Sequence, residues 1–151
     1  MNLNAAKLVC KELDINENEF DAAIASFTGA AKRLEVISAD ESTNVYKDFA
    51  HSPSKLKATI HAVKSQFTDR NLVAFMELHT FSSLNKEFLK EYKGAMSDAD
   101  LAIVYIDAKT FEQKKMQPLT EQDIKSAFED DSLLYFDNAA MLEAYLKGLN
   151  Y

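Results

Sequence analysis

Glycine, proline, cysteine and tryptophan are scarce in this chain of 151 residues, with counts of three, two, one and zero. Gly29, Gly94 and Gly148 lie so far apart that neither a GxGxxG nor a GxxxxGK[ST] phosphate-binding loop can be present. The lone Cys10 cannot form an internal disulfide, and with three scattered histidines it makes no CxxC or HExxH motif. The sequence therefore predicts no metal site, and its cysteine content suits a reducing compartment.

Arginine is also rare, with two among the 17 basic residues, and 24 acidic residues give a net charge of -7. Sequence-independent binding of nucleic acid needs clustered cations, so we expect no nucleic acid partner. The longest apolar run, Leu101 to Ile106, is far shorter than the ~20 residues of a membrane helix. The N-terminal segment, with Lys7 and Lys11, lacks the features of a signal peptide. We expect no membrane partner and a cytoplasmic location.

The hydrophobic pattern alternates between helical and strand spacing along most of the chain. It predicts helices over Asn4 to Leu13, Phe20 to Phe27 (ended by Thr28 and Gly29), from Pro53 with Ser52 as its cap, Leu84 to Met96, Glu121 to Glu129 with Thr120 as its cap, and Asn138 to Leu149. It predicts strands over Leu34 to Ser38 and Asn44 to Phe49, as a short antiparallel pair, and over Leu72 to Leu78, Leu101 to Ile106 and Leu133 to Phe136, with a polar loop from Asp107 through Pro118.

This order predicts one α/β domain of three layers, Rossmann-like, with a mostly parallel sheet, a short antiparallel strand and helices on both faces. Ligands of such open sheets bind outside the carboxyl ends of the strands. The loops of interest are therefore Asp48 to Ser54, Glu77 to Ser83, and the residues after Asp107.

Two motifs in the first third of the chain carry a family resemblance. SFTGAAKRLEV, residues 26–36, matches the form F-x-G-x-x-R-R-x-E, and DFAHSP, residues 48–53, matches D-[YF]-A-H-x-P at the start of a helix. Both motifs, in this order and separation, resemble the C-terminal domain of the Mur ligase family. The opening MNLNAAKLVCKEL is similar to the helix that ends the family's central ATPase domain. The resemblance implies a boundary near residue 14, with residues 15–151 forming the C-terminal domain.

Within the family, ELHTFSS at residues 77–83 is most similar to the ligases that act on UDP-N-acetylmuramate, and Phe49 is typical of the murein peptide ligase type. Several positions depart from the family pattern: Lys32 and Lys47 replace an arginine and an acid, Ser52 a histidine and Leu78 a proline. Thr80 and Ser83 stand where the family has arginines for substrate carboxylates.

The resemblance implies part of an ATP-dependent ligase of peptidoglycan synthesis or recycling. Such an enzyme activates the carboxylate of UDP-N-acetylmuramate as an acyl phosphate, which the amine of an amino acid or tripeptide attacks. ATP and Mg²⁺ would be bound in the parent enzyme, and the N-terminal and central ATPase domains would be partners of this one. Because the chain has no glycine-rich phosphate loop, we expect no turnover from it alone.

Two residues are predicted to contact the nucleotide. The resemblance makes Arg33 the residue that binds ATP phosphates, since a guanidinium can engage two oxygens at once. The alternative is an ion pair with Glu35 or Asp48 that orders the hairpin. Asp48 would accept hydrogen bonds from ribose hydroxyls, and the alternative for it is a turn or helix-capping role.

Three residues are predicted to contact the substrate. His51 either donates to the substrate or orients Asp48, and Glu77 with His79 engages the ammonium and carboxylate groups of a peptide. For Glu77 a helix cap is the alternative. No catalytic or metal-binding residue is predicted.

Two further expectations concern assembly and class. Family members continue, after a helix like that at Asn138 to Leu149, into another strand, so we expect an open sheet edge that pairs with a second copy or stays frayed. The rival class is a flavodoxin-like or receiver-like regulatory module without catalysis, for which Asp107 would be the phosphoacceptor. That reading is weakened because Lys47, rather than an acid, precedes Asp48.

Overall fold

The structure, a computed structural model, describes residues 2–27 and 33–149. Within these ranges the chain forms seven α-helices and five strands. In chain order they are α1 (Asn2–Glu12), α2 (Glu17–Ile24), β1 (Glu35–Ala39), β2 (Asn44–Lys47), α3 (Pro53–Gln66), β3 (Val73–Glu77), α4 (Lys86–Leu89), β4 (Leu101–Tyr105), α5 (Ala108–Lys114), α6 (Glu121–Phe128), β5 (Leu134–Phe136) and α7 (Ala139–Gly148). None of the helices so described is long and apolar enough to cross a bilayer.

The strands form two sheets. β1 and β2 pair antiparallel as a small sheet of their own, with Glu35 opposite Lys47 and Ala39 opposite Asn44. β3, β4 and β5 form a parallel sheet in that order. The α/β prediction is confirmed, and the predicted antiparallel pair lies beside the parallel sheet as a separate ladder.

Both faces of the parallel sheet are covered at its central strand. Ala102, Ile103 and Val104 of β4 are all buried, although alternate side chains of a strand point to opposite faces. Leu56 and Ile60 of α3 belong to the main hydrophobic cluster, together with core side chains from β3, β4 and α6. The continuous apolar run at residues 101–106 is therefore explained by a strand between two helical layers.

Local signals fix several helix starts. Asn16 and Thr120 each form a capping box with the carboxylate three residues later, at the starts of α2 and α6. Pro53 occupies the first position of α3, where its missing amide proton costs nothing. The signals at Pro53 and Thr120 gave the starts of α3 and α6, whereas α2 begins at Glu17, three residues before the predicted Phe20.

The first two helices pack on each other. Lys7 of α1 forms ion pairs with Glu17 and, at 3.1 Å, with Asp21 of α2. Phe20 is buried, but Phe27, the last residue of the predicted stripe, is 64% exposed because α2 ends at Ile24. The predicted terminators Thr28 and Gly29 lie outside the described residues.

The predicted helix over Leu84 to Met96 is wrong in length. The α-helical part is Lys86–Leu89, begun by Asn85, whose side chain accepts from the amides of Glu87 and Phe88. A 3-10 turn over Lys90–Tyr92 follows, and Gly94 takes a left-handed φ of 60° that redirects the chain. Leu84, Leu89 and Tyr92 are buried but Phe88, expected on the same side, is 37% exposed, because turns rather than one helix set the spacing.

The predicted polar loop from Asp107 through Pro118 is also wrong in part, because it contains α5. Asp107 caps this helix by accepting from the Lys109 amide, and Lys115 ends it in the left-handed region at a φ of 54°. Only Phe111 of α5 is buried, so the sequence of this helix has no apolar stripe from which it could be predicted.

The amino ends of β3 and β4 are joined by Asp100. Its carboxylate accepts from Lys64 Nζ of α3 and from the Leu72 amide, each at 2.7 Å. The Lys64 hydrogen bond, followed by that of the Leu72 amide, holds the pKa of Asp100 below its ordinary value of 3.8. This contact fixes α3 against the sheet at the end opposite the loops of interest.

We predict that Asp100→Asn lowers the free energy of unfolding at pH 7 by about 0.5 to 1 kcal/mol, because the contact is largely exposed. A depressed folded-state pKa stabilises the fold above pH 3.8, and this contribution disappears as the pH falls through the folded-state value. In urea unfolding, the free energy of unfolding of the variant should therefore be lower than that of the unsubstituted protein at pH 7, and this difference should disappear below pH 3.8. Asp69→Asn, the same change in the exposed α3–β3 loop, is the control; an equal loss there would contradict the assignment.

Candidate functional site

The carboxylate of Asp48, directly after β2, joins three parts of the domain. Its Oδ1 accepts from the Leu34 amide at 3.2 Å and from the Phe49 amide at 2.8 Å. Its Oδ2 accepts from the Thr59 hydroxyl of α3 at 2.7 Å. The start of β1, the β2–α3 loop and α3 are therefore held by one side chain.

Arg33 lies beside this junction. It precedes Leu34, whose amide Asp48 binds and whose φ of 50° turns the chain into β1. The two predicted nucleotide contacts thus come together in space, and the Arg33 side chain is exposed. A carboxylate offers about four acceptor positions, and Asp48 uses three within the domain. The turn role given above as its alternative is therefore present among the described residues.

His51 lies in the loop between Asp48 and α3. Its amide donates to the Phe49 carbonyl at 2.9 Å, and its Nδ1 lies 3.1 Å from the same oxygen. The centroids of the His51 and Phe49 rings are 5.0 Å apart. The His51 side chain is exposed. Its own carbonyl accepts from the hydroxyl of Tyr92 at 2.7 Å. The predicted orientation of Asp48 by His51 is not what the geometry shows, because the imidazole contacts the Phe49 backbone instead.

A shallow depression of about 520 Å³ lies next to this loop. One wall is the beginning of α3, including Ser52, Ser54 and Lys57. The other is residues 88–95, with Phe88 and Lys93. The β2–α3 loop and the segment after β3 therefore border one surface.

Glu77 ends β3 at the carboxyl edge of the parallel sheet. It pairs in register with Tyr105 of β4, and Asp107 and Asp137 follow the ends of β4 and β5. Desolvation first, then the negative charges of Asp107, Glu77 and Asp137, raise the pKa of the Tyr105 phenol. All three carboxylates thus lie close enough to act on one phenol at this edge of the sheet.

His79 is exposed in the loop after β3. It lies between Leu78, fully buried with its amide bonded to the Tyr105 carbonyl, and a turn closed by Thr80 and Ser83. The Thr80 hydroxyl donates to Ser83 Oγ at 2.8 Å, and Ser83 Oγ donates to the Thr80 carbonyl at 3.1 Å. Thr80 and Ser83 therefore shape this loop through bonds to each other.

A positive charge reaches the same loop from α5. Lys114 Nζ lies 4.1 Å from the ring centroid of Phe81, which is 64% exposed. This is a cation–π contact across the β3–α4 loop. A lysine from α5 therefore lies beside the loop that carries Thr80 and Ser83.

Sequence reasoning missed four residues of this site: Thr59, Tyr92, Lys114 and Asp137. Thr59 and Tyr92 lie in helical patterns that show burial but not which partner a hydroxyl finds. Lys114 lies on the unpredicted α5, and Asp137 follows the end of β5. The strand ends alone could have identified Asp137. Across residues 2–27 and 33–149, no group of three or more His, Cys, Asp or Glu is arranged to hold a metal ion.

The chain matches a family model described as Mur ligase, glutamate ligase domain, over residues 32–149. It is 30% identical over 148 residues to a UDP-N-acetylmuramate–L-alanine ligase of Lactobacillus delbrueckii subsp. bulgaricus, covering 96% of this chain and 32% of that protein. It is 34% identical over 104 residues to the ligase of the same name from Paenarthrobacter aurescens, covering 69% and 23%. The chain thus spans about a quarter to a third of these relatives.

Two solved structures share the fold. One is the UDP-N-acetylmuramate-alanine ligase MurC of Thermotoga maritima, with a TM-score of 0.70 and 18% sequence identity. The match covers 99% of this chain and 31% of the MurC chain. The other is a murein peptide ligase of Psychrobacter arcticus, with a TM-score of 0.61 and 20% sequence identity. That match covers 86% of this chain and 27% of the ligase chain. The family model covers most of the chain, and the motifs at residues 26–36 and 48–53 point the same way. The chain therefore belongs to the Mur ligase family, through the domain that this family model describes.

Proposed function

We propose that this chain is the closing domain of an ATP-dependent ligase of bacterial peptidoglycan synthesis or recycling. The enzyme joins the amine of an amino acid or peptide to the carboxylate of UDP-N-acetylmuramate. Family membership and the names of the relatives support this substrate class. α1 is then the last helix of a central ATPase domain, and residues 15–151 are the part that moves. ATP places the reaction in the cytoplasm.

The observation that carries the proposal is the junction at Asp48. It brings Arg33, through the neighbouring Leu34 amide, together with Asp48 and the loop that carries His51, although Arg33 precedes β1 and Asp48 follows β2. When the domain closes, the Arg33 guanidinium binds two phosphate oxygens of ATP, and the remaining acceptor position of Asp48 takes a ribose hydroxyl. The nucleotide thus lies in the cleft between the central ATPase domain and this domain, and it contacts both when the cleft closes.

The amine substrate binds at the carboxyl edge of the parallel sheet. Glu77, with Asp107 and Asp137 close to the same phenol, attracts an ammonium group. His79 on the adjoining loop and Lys114, which reaches that loop from α5, offer donors to a carboxylate. His51 contacts the substrate from the β2–α3 loop. This arrangement suits an amine that also carries an acid, as amino acids and peptides do.

The reaction runs in two transfers. A muramyl carboxylate oxygen attacks the γ-phosphorus of ATP, which releases ADP and leaves an acyl phosphate. The amine nitrogen then attacks the acyl carbon, phosphate departs with the bonding pair, and the nitrogen loses a proton to give the amide. ATP and Mg²⁺ are held by the parent enzyme, and this domain contributes orientation and exclusion of water on closure. Pairing of the β5 edge with a second copy stays a prediction.

No observation favours the regulatory module over this proposal. Asp107, its candidate phosphoacceptor, caps α5 through the Lys109 amide. The sheet order β3-β4-β5 is shared by many α/β proteins and does not distinguish the two classes.

The test is a ligase assay on the full-length protein. We expect ADP release that depends on UDP-N-acetylmuramate and on an amine, offered as L-alanine or as L-alanyl-γ-D-glutamyl-meso-diaminopimelate, with the amide identified by mass. The 151-residue chain alone should give none. Arg33→Ala and Asp48→Ala should each lower kcat/KM about 10- to 100-fold, the range expected for a lost charge-assisted hydrogen bond.

Two controls frame this assay. Lys11→Ala removes a positive charge from α1 and should leave turnover unchanged. Arg33→Lys should recover only part of the rate, because an ammonium lacks the two-pronged geometry. Normal rates in both alanine variants would reject the nucleotide assignments, and absence of any amide product with either amine would reject the function.

The two roles of Asp48 can be separated at Thr59. Thr59→Val removes the hydroxyl that donates to Asp48 but keeps the carboxylate. We expect the free energy of unfolding to fall by about 1 to 2 kcal/mol, by urea titration, with little change in the KM for ATP. Thr110→Val makes the same change on α5 as a control. If Thr59→Val raised the KM for ATP as much as Asp48→Ala, Asp48 would act only by holding the hairpin.

A further inference from the structure

Tyr92 is the one fully buried tyrosine among the described residues, and its hydroxyl reaches a loop of the proposed site. Its side chain has no exposed surface, and the hydroxyl donates to the His51 carbonyl at 2.7 Å across 41 residues of chain. Burial raises the pKa of Tyr92 to about 12, so the phenol remains a hydrogen-bond donor throughout the neutral range.

The ring of Tyr92 is held on several sides. It stacks on Phe128 with centroids 5.2 Å apart and meets the Phe88 ring edge-on at 6.2 Å. The chain after Tyr92 is also fixed, because the Gly94 amide donates to the Phe128 carbonyl at 3.0 Å. The hydroxyl therefore projects from a part of the core that packing keeps in place.

The loop that receives this hydrogen bond has little packing of its own. Phe49 is 50% exposed, and His51 is exposed, with its amide and Nδ1 directed at the Phe49 carbonyl. Asp48 holds the loop at one end, and Pro53 at the start of α3 holds it at the other. Between these ends, the Tyr92 hydroxyl connects the His51 backbone to the core.

We propose that Tyr92 is a positioning residue, whose hydroxyl sets the place of His51 for substrate binding. This rests on the proposed function. A loop ordered before the ligand arrives binds it more tightly, because less conformational entropy is lost on binding. Tyr92 contacts no substrate itself; it acts through the His51 carbonyl.

Tyr92→Phe is the matched variant, since it keeps the ring and its stacking on Phe128 and removes only the hydroxyl. Tyr145→Phe, on α7 against Phe136, is the control for the loss of a phenol. In the full-length protein, hydrogen exchange by mass spectrometry should be faster over residues 49–52 in Tyr92→Phe and unchanged there in Tyr145→Phe. Unchanged exchange over residues 49–52 in Tyr92→Phe would overturn the proposal.

Steady-state kinetics, with L-alanine or the tripeptide as the amine, give the second readout. Tyr92→Phe should raise the KM for the amine about threefold to tenfold, the range of one hydrogen bond, at unchanged kcat. In a His51→Ala background the same change should have no further effect, because its only route of action is gone. Equal effects in both backgrounds would show a general structural role and overturn the proposal.

These outcomes distinguish a failure of the proposed function from a failure of the proposed role of Tyr92. If the unsubstituted enzyme ligates neither amine, the proposed function fails, while the exchange experiment still decides whether Tyr92 holds the loop. If it ligates an amine and His51→Ala alone is normal, the role of His51 in substrate binding fails. If His51→Ala impairs the enzyme and Tyr92→Phe does not, the positioning role of Tyr92 fails.

Discussion

The hydrogen bonds of one carboxylate hold the small antiparallel sheet against the rest of the domain. Asp48 binds the Leu34 amide at the start of β1 and the Thr59 hydroxyl on α3. At the other end of the hairpin, Arg70 donates to the Glu41 carbonyl at 2.9 Å and lies over the Phe67 ring. A two-stranded sheet is marginal by itself, so these attachments, with the contact of the Tyr46 ring to the Phe67 ring, hold the hairpin in place. The position of Arg33 beside Asp48 depends on the first of them.

The architecture was predictable because the spacing of apolar residues and the local signals at helix starts specify it. An uninterrupted apolar run gave β4, Pro53 gave the start of α3 and the capping residue Thr120 gave the start of α6. Ser52, the predicted cap of α3, makes no capping hydrogen bond with its side chain. The strand ends then located Asp48, Glu77 and His79 at loops that the structure places around the sheet. The family resemblance added roles that no periodicity could supply. Residues whose function follows from their position at a strand end were thus accessible from sequence.

What sequence reasoning missed depends on contacts between distant segments. The Tyr92 hydroxyl bonds to a carbonyl 41 residues away, and the pattern Leu84, Leu89, Tyr92 looks the same whether turns or a helix produce it. α5 buries a single side chain and ends at a lysine in the left-handed region, without the glycine that usually marks such an end. Tertiary packing, rather than local propensity, decided each of these cases.

The charged groups of the candidate site are exposed, and this is consistent with a surface completed by another domain. Arg33, His51, Glu77 and His79 all face solvent, where water weakens any single ionic contact. The groups that hold them, Thr59, Tyr92 and Ser83, are partly or fully buried. Binding surfaces of this kind are ordered from beneath but gain strength only when closure excludes water. For the closing domain proposed above, exposed contacts on a buried support would allow product release and reopening more readily than a preformed deep pocket.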